Sequence, residues 1–272
     1  MFFSGGLQIP SYAAQYGINS LLFSDDFMDD TKIDKNNTLA PGFNWYISNV
    51  PSRAGVTITT PPVSSSMYSV SNSVLTITDN PAISLAEPGG EEFMSIGYDH
   101  TDPTINVRTL PLISGTKPFY IEANMVCGNG THSLTFWLFD SAAWLRIILN
   151  TGNNAVRAEF DIVETNAGGN ANRQTLTTWN SPNGNNVIFT NVLSGGFSTS
   201  AFNKWGLLVV PAAYNSGTGF SQFYLNGNTS GSATTWTNDL YGVEASNYML
   251  FMGGGNSSPY YQMDYIRCFG IV

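Results

Sequence analysis

Residues 158–169 read AEFDIVETNAGG, a stretch that places Glu159, Asp161 and Glu164 within six positions of a chain in which only 11% of residues are charged. The chain has seven glutamates, and two of them stand here with an aspartate between. In a strand, residues two apart share a face, so Glu159 and Asp161 point one way while Phe160 and Ile162 point the other. Glu164 breaks the parity. Regular pairing would turn it into the packing layer, where an unpartnered carboxylate is costly. One extra residue at Ile162–Val163, a β-bulge, returns Glu164 to the face of the other two acids. The spacing therefore predicts a bulged strand with three acids on one face. Charges so close repel, so at least one carboxyl is expected to keep its proton near neutral pH. The alternative is an exposed strand whose outward face is acidic, with Glu164 in water at its end.

Short runs of similar character recur between clusters of Gly, Asn, Ser and Pro, the pattern of a strand-rich fold. They include VTITT (56–60), VLTIT (74–78), PFYIEANMV (118–126), LTFWLF (134–139), WLRIIL (144–149) and QTLTTW (174–179). KWGLLVV (204–210), FSQFYL (220–225), YMLFM (248–252) and YQMDYIRCF (261–269) complete the set, and no stretch reads as a convincing helix. Residues 165–173, 181–187 and 226–233 carry the Gly and Asn that tolerate positive φ and read as loops. The chain has 272 residues with no internal repeat and no break in composition, which fits one large sandwich. Residues 1–20 read as an N-terminal extension, and 21–272 as one domain.

Two carboxyl groups, one ionised and one protonated, are what glycoside hydrolysis requires. The acidic strand resembles the E-x-D-x-x-E signature of glycoside hydrolase family 16, the laminarinase and lichenase family. LLFSDDF (21–27), SVLTIT (73–78), SGTKPFYIEANMVCGNGTHSLTFWLF (114–139), FNKWGLLVVP (202–211), SQFYLNG (221–227) and YQMDYIRCF (261–269) resemble further strands in that family's order. The resemblance implies an all-β fold, a concanavalin A-like β-jelly-roll sandwich of two curved antiparallel sheets. It implies a retaining endo-β-glycosidase acting on a β-1,3- or β-1,3-1,4-glucan. Glu159 would be the nucleophile, Glu164 the acid and base, and Asp161 the group between them that shares protons and orients the nucleophile. By the same resemblance Trp137 and Trp144 would flank the sugar subsites, since sugar rings stack on indole, and Trp179, where many relatives carry a histidine-containing strand, would take over as a cleft wall. Trp137 also suits a core. Asp264 matches an aspartate that in relatives helps hold a structural calcium, or is an ordinary strand aspartate; catalysis itself would need no cofactor. The family's histidine before the KWGLLV strand is Asn203 here, and its basic residue in the YIEANMV strand is Asn124. These departures bear on the subsites rather than on the acids.

Ten basic against 19 acidic residues give a net charge of −9, with the basic ones scattered singly. No stripe exists to neutralise a phosphate backbone, so nucleic acid is not an expected partner. With few basic residues near the motifs, neutral glucan or agarose-type galactan fits better than sulfated galactan. His100 and His132 are too few and too separated for a zinc site or a serine triad. Cys127 and Cys268 would form a bridge only if their strands are neighbours. No run reaches the length of a membrane span, and the first 20 residues lack the look of a signal peptide. The expectation is a monomer acting outside the cell or in the periplasm, its leader removed or its release by lysis. A competing reading is a non-catalytic glycan-binding module, lectin-like or on a virion surface.

Overall fold

The structure, a computed structural model, describes residues 8–34, 36, 38–48, 68–78, 92–98, 102, 104–127, 133–149, 151, 155–165, 172–181, 184–193, 195–253 and 260–272. Two sheets carry the fold. The first comprises β1 (Ser20–Asp25), β4 (Tyr68–Ser71), β5 (Val74–Thr78), β10 (Phe119–Cys127), β15 (Asn203–Val210), β16 (Gly219–Leu225), β17 (Asn228–Trp236) and β19 (Tyr260–Gly270). Its order is β17-β16-β15-β10-β19-β5-β4, with β1 also on β19. The second comprises β2 (Ile33–Asp34), β3 (Trp45–Ser48), β6 (Glu92–Met94), β9 (Ile113–Ser114), β11 (Ser133–Asp140), β12 (Arg157–Thr165), β13 (Asn172–Ser181), β14 (Gly184–Leu193) and β18 (Asn247–Gly253). Its order is β14-β13-β12-β11-β18-β6-β3-β2, with β9 on β18. A small ladder, β7 (Gly97–Tyr98) with β8 (Asn106–Val107), stands apart. Among the described residues every pairing but β2 with β3 is antiparallel, and the architecture is a β-jelly-roll sandwich.

Strand alternation builds the core between the sheets. Ile121, Ala123 and Met125 from β10 and Leu207 and Val209 from β15 meet Phe136 and Leu138 from β11 and Phe160 and Ile162 from β12. Phe160 is fully buried, tilted against Tyr248 at 5.7 Å and edge-on to Phe223 at 6.3 Å. Cutting such a ring back to alanine costs about 3–5 kcal/mol. Asp25, in the LLFSDDF run, ties the sheets at one end. One of its oxygens accepts the Trp45 indole N–H at 2.8 Å and the Asn44 amide at 3.0 Å, and the other the Phe27 backbone N–H at 2.9 Å.

The segment before β1 packs on the first sheet. The short helix α1 (Ser11–Ala14) lays Tyr12 flat on Tyr224 at 4.1 Å and edge-on to Tyr120. Among the described residues no helix is long and apolar enough to cross a membrane.

Several expectations need correction. WLRIIL lies in a second helix, α2 (Ser141–Leu149), rather than a strand. Asp140 is its N-cap and accepts the Ala143 N–H at 2.8 Å, satisfying a donor that a helix start leaves open. Residues 226–233 are mostly strand: the turn is Asn226–Gly227 alone, both at positive φ, and β17 begins at Asn228. β14 was not expected at all. β10 and β19 are neighbours, but Cys268 faces Ile121 while Cys127 faces Tyr261, roughly 20 Å along the strand. Both thiols are free and buried. The run 56–60, His100 and His132 lie outside the described residues.

Candidate active site

The register of β12 slips where parity demanded. Against β13, Asp161 faces Thr175 and Glu164 faces Arg173, so two residues of β12 span the place of Gln174 alone. Against β11, Trp137 faces Asp161 while Phe136 faces Val163. Ile162 and Val163 both turn into the core and are fully buried. Glu159, Asp161 and Glu164 are thereby brought to one face, away from the sandwich interior.

The surroundings differ from one acid to the next. Glu159 is 7% exposed and its Oε2 accepts the indole N–H of Trp179. Asp161 is 3% exposed and its Oδ2 accepts the Thr175 hydroxyl. Glu164, at the more open end, receives Nε and Nη2 of Arg173 on its two oxygens. Burial, followed by the charge of Asp161, pushes Glu159 well above the ordinary carboxylate range, against a smaller opposing pull from the Trp179 N–H. Burial, then the charge of Glu164, raises Asp161 to about 7, opposed by hydrogen bonds from Thr175 and Glu159 and by Arg173. Asp161 Oδ1 is buried with no donor among the described residues unless Glu159 carries a proton. The two carboxyls therefore share one proton near neutrality and titrate as a pair.

The tryptophans do not stand as open platforms. Trp137, Trp144 and Trp179 are buried in a cluster with Phe139, Phe251, Met249, Ile96 and Tyr98 on the same face as the acids. Trp137 stacks on Phe251 at 3.9 Å, and Trp144, carried by α2, meets Trp137, Phe139 and Phe251 edge-on. The helix that replaced the expected strand thus roofs the aromatic floor beside Glu159. Of the three, Trp179 bonds an acid directly.

Asp264 is partly exposed on β19, and its Oδ2 accepts the Asn124 amide at 3.0 Å. Among the described residues no group of three or more His, Cys, Asp or Glu could hold a metal. An amide N–H aimed at the carboxylate makes a cross-strand hydrogen bond between β10 and β19. Asn203, the other departure, is buried and ties its own loop by donating to the Ser198 and Ala201 carbonyls at 2.6 and 2.9 Å.

Sequence reasoning missed two members of this site. Arg173 lies directly opposite Glu164, and its alternation with Thr175, Thr177 and Trp179 along β13 was the available signal. Asp140 caps α2, accepts the Asn247 N–H at 2.8 Å and sits 3.5 Å from the Arg157 guanidinium; its signal was an acid heading the run SAAWLRIIL.

No protein-family profile matches the chain, and a search of curated proteins finds no match. Solved structures do match. An endo-1,3-β-glucanase from Streptomyces sioyaensis superposes with a TM-score of 0.62 at 16% identity, over 93% of this chain and 96% of that one. SCLam, a non-specific endo-β-1,3(4)-glucanase from glycoside hydrolase family 16, gives 0.57 at 12% identity over 93% and 92%. An endo-β-galactosidase from Clostridium perfringens that releases GlcNAcα1-4Gal gives 0.55 at 16% identity over 92% of this chain and 62% of that one. At these identities the likeness is one of fold.

Proposed function

We propose that the chain is a retaining endo-β-glycosidase of the family 16 type, cleaving a β-1,3- or β-1,3-1,4-glucan by double displacement. The observation that carries this reading is the bulge at Ile162–Val163, which gathers Glu159, Asp161 and Glu164 on one face, with burial and mutual charge pushing the first two carboxyls up. Glu159 attacks the anomeric carbon once the shared proton rests on Asp161. Glu164 protonates the leaving oxygen and, in the second step, takes a proton from the water that releases the sugar. Trp179 N–H favours the ionised nucleophile and fixes its orientation. Glu159 and Asp161 are buried, whereas the Arg173 side chain is 32% exposed, so the sugar approaches from the Arg173 end.

A polymeric substrate argues for action outside the cytoplasm, and two carboxyl groups carry double displacement without a metal. The names of the matched structures support the substrate class, and the Clostridium enzyme keeps a β-galactan in the comparison. Reducing-sugar release from laminarin, lichenan and agarose by the wild type and by Glu159→Gln tests the assignment. Hydrolysis of a glucan by the wild type, lost in a folded variant, is expected; equal activity in the two sinks it.

One observation favours a second reading, a glycan-binding module without catalysis: Glu159 is buried against Trp179 and Glu164 is engaged by Arg173. Binding to the same polysaccharides with no sugar released is the outcome that would support it.

A further inference from the structure

A carboxyl group that acts first as acid and then as base must be neutral in one half of the reaction and charged in the other. Arg173 favours the charged half. The register of β12 against β13 sets it opposite Glu164, and its Nε and Nη2 each donate to a different oxygen of that carboxylate. A neutral carboxyl cannot accept this fork, because its own O–H would face an N–H; the bidentate geometry selects the anion. The two side chains are 32% and 12% exposed, so water and salt screen the pair less than an open surface pair. The guanidinium also lies close enough to Asp161 to feel its charge.

We infer that Arg173 is a positioning residue for the second half-reaction, receiving the carboxylate that Glu164 becomes and holding it as the base. The inference rests on the proposed roles of Glu159 and Glu164. Before the first half the fork opens and Glu164 takes a proton from solvent; that proton then passes to the glycosidic oxygen as its bond to carbon breaks and the bond from Glu159 forms. Arg173 then closes on the new carboxylate. In the second half, water gives a proton to Glu164 as its oxygen bonds to carbon and the bond to Glu159 breaks, and the fork opens. Arg173 therefore favours release of the sugar over formation of the glycosyl-enzyme.

The test uses 2,4-dinitrophenyl β-laminaribioside, whose leaving group departs without a proton. On this probe kcat/KM reports attack by Glu159, and kcat reports hydrolysis of the glycosyl-enzyme. In Arg173→Gln, kcat is expected to fall about tenfold, the rate equivalent of a lost charge-assisted hydrogen bond, with kcat/KM held within about twofold. A stoichiometric burst of dinitrophenolate accompanies the fall, and the sugar is found on the Glu159 peptide by mass. Arg173→Lys, keeping the charge without the fork, recovers part of kcat and decides the matter should the Gln variant not fold. A parallel fall of kcat and kcat/KM, or no change in either, overturns the inference while leaving the hydrolase reading intact. No dinitrophenolate from the wild type overturns both.

Discussion

Trp137 and Asp161 face each other directly across β11 and β12, yet the residue before Trp137 faces Val163, leaving Ile162 with no opposite number. A second slip on β11 skips Thr135 and sets Leu134 opposite Glu164, while the lone slip against β13 sets Glu164 opposite Arg173 and decides which face it occupies. Deleting Val163 restores regular pairing and sends Glu164 into the layer of Phe160 and Ile162, stripped of Arg173. An uncompensated buried charge costs about 3–5 kcal/mol. Thermal unfolding followed by circular dichroism should show a large drop in midpoint or no folded protein; an unchanged midpoint contradicts the geometry.

The shared proton makes stability depend on pH in a stated direction. Asp161 is raised from 3.8 to about 7, and Glu159 is raised as well, so the folded state binds protons that the unfolded chain has released. The resulting stabilisation is complete below about pH 4 and is lost as pH rises through about 7. The melting temperature should fall between about pH 5 and pH 8, and Asp161→Asn should flatten that slope. Equal slopes in the two proteins would count against the pair.

Trp179→Phe keeps an aromatic ring against Phe139 and deletes the N–H given to Glu159. That donor favours ionised Glu159, so without it the carboxyl holds its proton to higher pH. The acid limb of the pH–rate profile should move upward, with activity near neutrality down about tenfold. A uniform loss across the profile would point to disturbed packing instead.

Asp140 joins the start of α2 to β18, through the Ala143 and Asn247 N–H groups, and draws in Arg157. Asp140→Ala leaves those donors without their acceptor and should cost at least about 2 kcal/mol. The melting temperature should drop on the order of 5 °C. A smaller shift would mean that α2 is held mainly by Trp144.

The jelly roll and the bulged acid strand were legible because both follow from strand parity, in which one misplaced charge is conspicuous. The roof over the site was not. WLRIIL is a short apolar run with no polar face, and such a run fits a buried strand as well as a packed helix. Only the Asp140 cap distinguished the two. Trp137 matched a sugar platform by position, but Trp144 and Phe251 close around it once α2 is present. Arg173 escaped notice because pairing it with Glu164 requires the register across the 166–171 connection, which the sequence leaves open. β14 was missed because its Asn and Gly residues look like a loop until β13 lends it a partner.

The stereochemistry of the first product addresses the central claim most directly. Proton NMR of laminarin during early digestion by the wild-type protein should show the β-anomer of the new reducing end first, with the α-anomer growing only as the sugar mutarotates. That order follows from attack by Glu159 and release assisted by Glu164. The α-anomer appearing first would contradict the double displacement, and no new reducing end from any β-glucan or β-galactan would contradict the enzyme itself.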